Sequence, residues 1–271
     1  MITIQEGKEM KKKAVTMLIM TGALLLAGCG KGETQQAATS VMADGVLTVG
    51  IACGEDRSCF RATDELGNPV YAGWECEVLN VLADNLPENV TMEYIYAADQ
   101  KELTTMLAEG RVDIAAGSYT RLDTYASQYL VSDNYGYGSV YLVNAKNAYI
   151  DNLAAFKDEN IGVSNAIPAT SAAEVPGIEG VVQSNYIDMS LMAIDIKAGV
   201  IDAGLCTERE AVQLLNDTEL NIQELKSGPQ IGLIFLMPGG QNDLLTRVNA
   251  AISTHYDELA EAGSRPYSSQ Q

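Results

Sequence analysis

Apolar residues recur along the chain in two spacings, one typical of strands and one typical of helices. Short apolar or alternating runs bounded by glycine or polar residues predict strands at residues 46–51, 91–96, 112–116, 139–143, 161–163, 180–183, 201–206, 221–225 and 231–237. Apolar residues three and four positions apart predict helices at residues 74–86, 101–109, 171–175, 187–198, 207–215 and 241–262. Strands that alternate with helices favour parallel sheets covered by helices on both faces.

Two segments of this pattern resemble each other. Residues 107–116 (LAEGRVDIAA) and 196–205 (IKAGVIDAGL) both run from a helix end through a glycine to an aspartate and a strand of small apolar residues. The repetition favours two similar α/β halves, each with its own small core, over one continuous sheet. A cleft between two such halves is the expected place for a ligand.

The N-terminal segment has the pattern of an export signal. Three lysines at 11–13 precede an apolar run at 14–27, which is shorter than the roughly 20 residues a membrane-spanning helix needs. The run ends in LAGC (26–29), which resembles the lipobox of bacterial lipoproteins. The resemblance implies a signal peptide at 1–28, lipidation of Cys29 and a flexible tether at 29–44. The alternative is an ordinary signal peptide or an uncleaved anchor that happens to end in a cysteine. Translation can start at Met1 or Met10.

Composition narrows the classes of partner. The 271 residues are 47% hydrophobic and 20% charged, which is typical of a globular chain. The 17 basic residues face 36 acidic ones, which gives a net charge of −19. Because such a chain repels phosphate backbones, we expect no nucleic acid partner.

The cysteines and the single histidine do not have the spacing of a metal site. We therefore expect no metal and no cofactor. Cys53 and Cys59 flank a five-residue loop, and they form either a disulfide, which export permits, or two buried thiols.

Several of the segments stand in a characteristic order: LTVGI (47–51), YAGWECEVLNVLADNL (71–86), LAEGRVDIAAG (107–117), YLVSDNYGYGSVYLV (129–143), AGVIDAGL (198–205) and IGLIFLMPGGQNDLLTRVNAAI (231–252). In this order they resemble the family 3 bacterial extracellular solute-binding proteins, the receptors of polar amino acid ABC importers. The resemblance implies an α/β, bilobal, type II periplasmic-binding-protein-like fold, in which two hinge strands join two α/β lobes. Lobe 1 then comprises residues 45–138 and 231–271, and lobe 2 comprises residues 139–230.

The resemblance also implies a function. Such a protein is the substrate-binding lipoprotein of an ABC importer, and it captures a small polar solute, an amino acid or a similar molecule, when its lobes close about the hinge. The implied partners are that ligand, the importer's permease and, through the lipid on Cys29, the outer face of the cell membrane or the periplasm; the expected state is a monomer. Two alternatives are a dehydratase-like enzyme in the same cleft, with Glu208 or Glu55 as its acid or base, and a ligand-sensing module.

The family's binding positions map onto lobe 1 with departures. In the loop after the first strand, Phe60 matches a family phenylalanine, and Arg57 either binds a carboxylate or phosphate or is a surface arginine. The family's carboxylate-binding arginine is replaced by Thr124 or Tyr125, depending on the alignment, and Arg121 lies a few positions earlier. Ser118, Tyr119 and Thr120 are expected ligand contacts or helix caps, and Gln100 stands where relatives place a stacking aromatic residue.

Lobe 2 contributes two further candidates. Thr170 and Ser171 resemble the family's turn at a helix N-terminus, which attracts anions; Ser171 with Glu174 also predicts a capping box. Thr207 occupies the position of the family's ammonium-binding acid. The next residue, Glu208, either points inward and pairs with an amine or points into solvent.

Overall fold

The computed structural model describes residues 43–53, 58–63, 66–67, 69–146 and 149–259. Its strands are β1 (Val46–Ala52), β2 (Phe60–Thr63), β3 (Pro69–Ala72), β4 (Thr91–Ala97), β5 (Ile114–Thr120), β6 (Leu130–Val131), β7 (Gly136–Ala145), β8 (Asn160–Ser164), β9 (Val182–Tyr186), β10 (Ala203–Thr207), β11 (Leu220–Glu224) and β12 (Gln230–Met237). Its α-helices are α1 (Trp74–Asp84), α2 (Gln100–Ala108), α3 (Asp123–Ala126), α4 (Ala169–Ala173), α5 (Met189–Ala198), α6 (Glu208–Val212) and α7 (Asn242–Thr254).

Each predicted strand and helix corresponds to an observed element, and most boundaries shift by a few residues. The exception is the last helix, which was predicted to reach residue 262, whereas α7 ends at Thr254. The strand β5 continues past its predicted end at residue 116 as far as Thr120. It does so because Tyr119 and Thr120 pair with Ile234 and Leu233 of β12, a contact distant in the sequence. The short elements β2, β3, β6 and α3 were not predicted, because none carries enough residues to show a period.

Hydrogen bonds join the main strands in the order β4-β1-β5-β12-β7-β10-β8-β9. The outer strands are parallel, as predicted: β1 with β4 and β5, and β8 with β9 and β10. The strands β7, β11 and β12 are antiparallel to their neighbours, and the hydrogen-bonded path runs from β4 to β9 without a break. The prediction that the two halves do not share one continuous sheet is therefore wrong, because hydrogen bonds join the strands of both halves into one sheet.

The hydrophobic cores nevertheless divide the molecule into two lobes. In lobe 1, one core packs Leu47, Trp74 and Phe235 on one face of the sheet, and a second core packs Leu103 and Ile234 on the other. Lobe 2 is built in the same way, since successive strand residues point to opposite faces. Each lobe therefore carries an α/β sandwich of its own.

Two strands cross between the lobes. In β12, Ile231 belongs to a core of lobe 2, whereas Leu233 belongs to a core of lobe 1. The chain at β7 makes the same change in the opposite direction, from Tyr135 in lobe 1 to Val140 in lobe 2. The two strands pair with each other between these points, from Gly136 to Ser139. These paired segments are the connection about which the lobes can move.

Within the described residues, no helix has the length and apolarity needed to cross a membrane.

Candidate functional site

A cavity of about 780 Å³ lies between the lobes, at the carboxyl ends of their strands. Lobe 1 lines it with the start of α2 and the end of β5, and lobe 2 with the loops after β8 and β9 and the start of α6. The volume falls in the range of about 300–1,000 Å³ found for small-molecule sites. We call this space the outer cavity.

A second, much smaller cavity of about 30 Å³ lies next to the crossing strands. Tyr137 and Ser139 of β7, Leu233 of β12, Trp74 and Glu208 are among its lining residues. It has the size of one or two water molecules. We call it the inner cavity.

The two cavities share a common wall. Its residues line both spaces, two from lobe 1 and two from lobe 2: Ser118, Thr120, Thr207 and Arg209. We call these four residues the dividing wall. A molecule that reaches the bottom of the outer cavity meets side chains of both lobes there.

The side chains of Thr120 and Arg209 each make a hydrogen bond across the cleft. The Thr120 hydroxyl of lobe 1 donates to the carbonyl of Ala166 in lobe 2, at 2.5 Å. From lobe 2, the Nη2 atom of Arg209 donates to the carbonyl of Ala52 at the end of β1, at 2.9 Å. Because each bond joins one lobe to the other, both stabilise the closed arrangement relative to an open one.

Ser118 has an unusual backbone conformation. Its φ angle is +52°, in the left-handed region that non-glycine residues rarely adopt, and its N–H donates to a carboxylate oxygen of Glu75 at 2.9 Å. Its hydroxyl oxygen is buried and has no hydrogen-bond partner among the described residues. Such strain costs on the order of 1–3 kcal/mol and is characteristic of functional sites.

Glu75 supports this conformation from beneath the cleft. It is fully buried in the first turn of α1, where the helix dipole favours a negative charge, and the Tyr135 hydroxyl also donates to it. Burial raises the pKa of Tyr135 well above its usual value, the charge of Glu75 raises it further, and the charge of Arg209 lowers it. Neither Glu75 nor Arg209 was among the predicted site residues. From the sequence alone, a buried charged residue in the first turn of a helix cannot be distinguished from an exposed one.

The predicted residues of lobe 1 separate into two groups. Gln100 lines the outer cavity and donates to the Gly117 carbonyl at 2.6 Å, and Ser118 and Thr120 belong to the dividing wall. Tyr119 is fully buried in the core on the other face of β5, where its hydroxyl donates to the Gln100 carbonyl. The alternation of side chains along a strand explains why Tyr119 points away while its two neighbours face the cleft.

Two other candidates of lobe 1, Arg121 and Phe60, lie away from the cavities. Arg121 is exposed, and its guanidinium donates to the Ser132 carbonyl rather than reaching inward. Phe60 is half-buried in β2 and lines neither cavity.

Arg57 and Glu55, like Cys29 and the signal peptide, lie outside the described residues. Tyr125, an alternative alignment for the family's arginine, lines the outer cavity.

The candidates at α4 of lobe 2 also lie outside the cavities. Thr170 is exposed, Ser171 is half-buried, and neither lines a cavity. The predicted capping box of Ser171 and Glu174 is wrong: α4 starts one turn earlier, after Pro168, and Glu174 lies at its C-terminal end.

A capping box is found instead at the start of α6. Thr207 accepts from the Glu210 N–H, and the Glu210 carboxylate accepts from the Thr207 N–H at 2.9 Å and from the Ser164 hydroxyl at 2.6 Å. The spacing Thr-x-x-Glu is the sequence signal for it, and the sequence analysis missed it. This box fixes the orientation of α6, so that Glu208 lines the inner cavity and Arg209 lines both cavities.

Cys53 and Cys59 are joined by a disulfide, with their Cα atoms 4.8 Å apart. The bridge closes the loop after β1, directly beyond the Ala52 carbonyl that accepts from Arg209. The Cys76 sulfur lies 3.9 Å from the Cys59 sulfur, and burial raises the pKa of the Cys76 thiol to about 12. In the part of the chain that the structure covers, no three His, Cys, Asp or Glu side chains cluster as metal ligands would.

Comparisons with known proteins place this geometry in a family. The sequence profile of the bacterial extracellular solute-binding proteins, family 3, matches residues 47–262. No curated protein matches the chain. Among solved structures, the chain is similar to an amino acid ABC transporter substrate-binding protein from Streptococcus pneumoniae Canada MDR_19A bound to L-arginine, with 16% identity, a TM-score of 0.56, and coverage of 82% of this chain and 94% of that one.

Two proteins that are named as ancestral have the same fold. An ancestral arginine-binding protein bound to arginine is 23% identical, with a TM-score of 0.54 over 82% of this chain and 99% of that one. The ancestral amino acid-binding protein AncCDT-1, a precursor of cyclohexadienyl dehydratase, is 20% identical, with a TM-score of 0.54 over 83% of this chain and 97% of that one. These likenesses confirm the expected bilobal type II fold. Because the profile matches most of the sequence, the chain belongs to the family 3 bacterial extracellular solute-binding proteins.

Proposed function

We propose that this protein is the substrate-binding component of an ABC importer and that it captures an amino acid or a similar small polar solute between its lobes. The observation that carries the proposal is the outer cavity, which is lined by both lobes. The two crossing strands connect these lobes. A ligand that contacts both lobes stabilises the closed form by its differential affinity for that form. The importer's permease then recognises the closed form. The lobe boundaries proposed for this motion are 45–138 with 231–271, and 139–230.

The lining of the cleft favours a ligand with both charges. Asp99 and Asp188 line the outer cavity, Glu208 lines the inner one, and Arg209 lines both. Hydroxyl and amide groups of Ser118, Thr120 and Gln100 complete a surface suited to hydrogen bonding. A zwitterionic molecule can satisfy the groups of both signs at once.

The proposal is tested by calorimetry and solution scattering. We expect at least one of the common amino acids, their derivatives or small peptides to bind, and the radius of gyration to fall when it does. Native mass spectrometry of protein purified from rich medium is a parallel route to the ligand. Absence of binding across that panel, together with a scattering profile that no solute changes, would refute the proposal.

We propose binding without chemical change as the function of the cleft, although one neighbour is named as the precursor of a dehydratase. An enzyme would need a general acid or base, and Glu208, which lines the inner cavity, is the candidate for that role. Recovery of unchanged ligand after long incubation supports the binding function. Turnover that Glu208→Gln abolishes would support the enzyme instead.

We also propose that the protein is exported, acts as a monomer and is anchored by lipid on Cys29. The support is the LAGC sequence at 26–29 after a basic and apolar segment. Labelling of cells with a fatty acid analogue is expected to mark the wild-type protein and not Cys29→Ser. Equal labelling of both would contradict the anchor.

A further inference from the structure

The outer cavity remains large although the lobes touch. Its volume is about 780 Å³ in the arrangement in which Thr120 donates to the Ala166 carbonyl and Arg209 donates to the Ala52 carbonyl across the cleft. Thr120 and Arg209 both belong to the dividing wall, so the lobes meet there while the space beyond it stays open. The volume is therefore that of the closed arrangement.

A single amino acid is small for this space. Because a water molecule takes up about 30 Å³ of the liquid, the outer cavity has the volume of about 26 water molecules. A free amino acid has about 5 to 15 non-hydrogen atoms, each no larger than a water molecule, and so fills roughly a fifth to a little over half of the cavity. A peptide of two or three residues, with about 15 to 25 such atoms, fits the same space.

An apolar side chain stands where the cavity opens to solvent. In the described chain, the exposed residues that line the outer cavity are Asp99 and Lys101 of lobe 1 and Asn165, Ile187, Asp188 and Gln213 of lobe 2. We call these residues the rim. Ile187 is its apolar member and is 87% exposed. The next residue, Asp188, caps α5 by accepting from the Ser190 N–H at 2.7 Å, which fixes the backbone beside Ile187.

Lobe 1 presents apolar surface to the same cavity. Leu122 and Tyr125 line it, and the Tyr125 ring packs edge-on against the buried Tyr119 ring, with 5.3 Å between the ring centroids. Ile187 adds apolar surface from lobe 2. An apolar group on a ligand can therefore remove surface of both lobes from water, which is favourable in proportion to the area covered.

The charged residues of the rim favour an ammonium group. Asp99 of lobe 1 and Asp188 of lobe 2 each place a carboxylate there, whereas Lys101 places one positive charge. Because the acids outnumber the base, the amino terminus of a peptide is better suited to the rim than a neutral acyl group is.

From the volume and the lining we infer that the ligand is a peptide of two or three residues, with an apolar first residue at the rim. The inference rests on the proposed function and specifies its ligand class. The first side chain packs against Ile187 of lobe 2 and against Leu122 and Tyr125 of lobe 1. Its ammonium lies near Asp99 and Asp188, and the rest of the peptide extends toward the dividing wall.

Calorimetry on the wild-type protein tests the ligand class. Each common amino acid X is compared with the peptides Leu-X and Leu-Gly-X and with the glycyl counterparts Gly-X and Gly-Gly-X. Because burial of a leucine side chain is strongly favourable, we expect a leucyl peptide to be the tightest ligand. It should bind about 10-fold or more tightly than both X and its glycyl counterpart. A free amino acid that binds as tightly as its leucyl peptides would overturn the inference.

A further compound separates a peptide from an acylated amino acid. The isocaproyl derivative of the tightest leucyl peptide's remainder keeps the apolar group and lacks only the amino group. We expect it to bind more weakly than the leucyl peptide, because it offers no charge to Asp99 and Asp188. Equal or tighter binding of the acyl compound would overturn the assignment to peptides.

Variants then locate the apolar contact. We expect Ile187→Ser to weaken binding of the leucyl peptide about 10-fold and to change binding of the glycyl peptide by less than about twofold. Ile194→Ser is the matched control, since Ile194 is 55% exposed on α5 and lines neither cavity. Because both isoleucines are exposed, neither replacement disturbs a core. Equal effects of the two variants on the leucyl peptide would overturn the inference.

The outcomes separate this inference from the function on which it rests. If no compound of the panel binds, the proposed function and the inference fail together. If a free amino acid binds and no leucyl peptide binds more tightly, the proposed function stands and the inference alone is overturned.

Discussion

The hydrogen bond between the Thr120 hydroxyl and the Ala166 carbonyl is expected to set the balance between closed and open forms. Thr120→Val keeps the shape of the side chain and removes the donor. The residue is only 5% exposed, so in the closed form the Ala166 carbonyl loses its partner, whereas opening returns it to water. The net loss for such a bond is about 1–2 kcal/mol, which lowers the ratio of closed to open molecules about 5- to 30-fold.

Two measurements report this change. Interlobe fluorescence energy transfer on the ligand-free protein is expected to show a larger open fraction in Thr120→Val. The dissociation constant of the tightest-binding amino acid is expected to rise by a similar factor, because only the closed fraction makes contacts from both lobes.

Thr120→Ser is the matched control for this experiment. It keeps the hydroxyl and is expected to retain the wild-type balance, with a small loss of stability from the missing methyl group. The reasoning is refuted if Thr120→Val leaves both the energy transfer and the affinity unchanged. A weaker affinity with unchanged energy transfer would also refute it, because Thr120 would then act by contact with the ligand alone.

Three further predictions concern strain, sulfur and alkaline pH. Ser118→Gly should raise the free energy of unfolding by about 1 kcal/mol in denaturant titrations, by relieving the positive φ, yet weaken ligand binding in calorimetry. Cys53→Ser should re-pair Cys59 with the neighbouring Cys76, as peptide mapping would show; a free Cys59 thiol would contradict this. Because the pKa of Cys76 rises from 9.0 to about 12 on folding, the unfolded chain loses this proton first. The free energy of unfolding should therefore fall by up to about 1.4 kcal/mol for each unit by which the pH rises between 9.0 and about 12, as denaturant titrations would show. Cys76→Ser should remove that contribution.

The sequence alone was sufficient for the order of the strands and helices other than the short β2, β3, β6 and α3. Periodicity is a local property, so the apolar spacing of α1 or the β-branched run of β1 is visible without any tertiary information. The order of the segments from 47 to 252 was likewise enough to indicate the family that the profile confirms. The expectation of a cleft between two halves followed from the resemblance between residues 107–116 and 196–205.

The identity of the site residues depended on contacts between distant parts of the chain. Pairing of β5 with β12 decides that Ser118 and Thr120 face the cleft and that Tyr119 faces the core, and a shift of one residue would reverse all three. The capping box of Thr207 and Glu210 decides where α6 begins, and with it where Arg209 points. Local pattern fixes which elements form, since each follows from neighbouring residues. Side-chain direction at the cleft depends on register and helix start, which only packing between the elements determines.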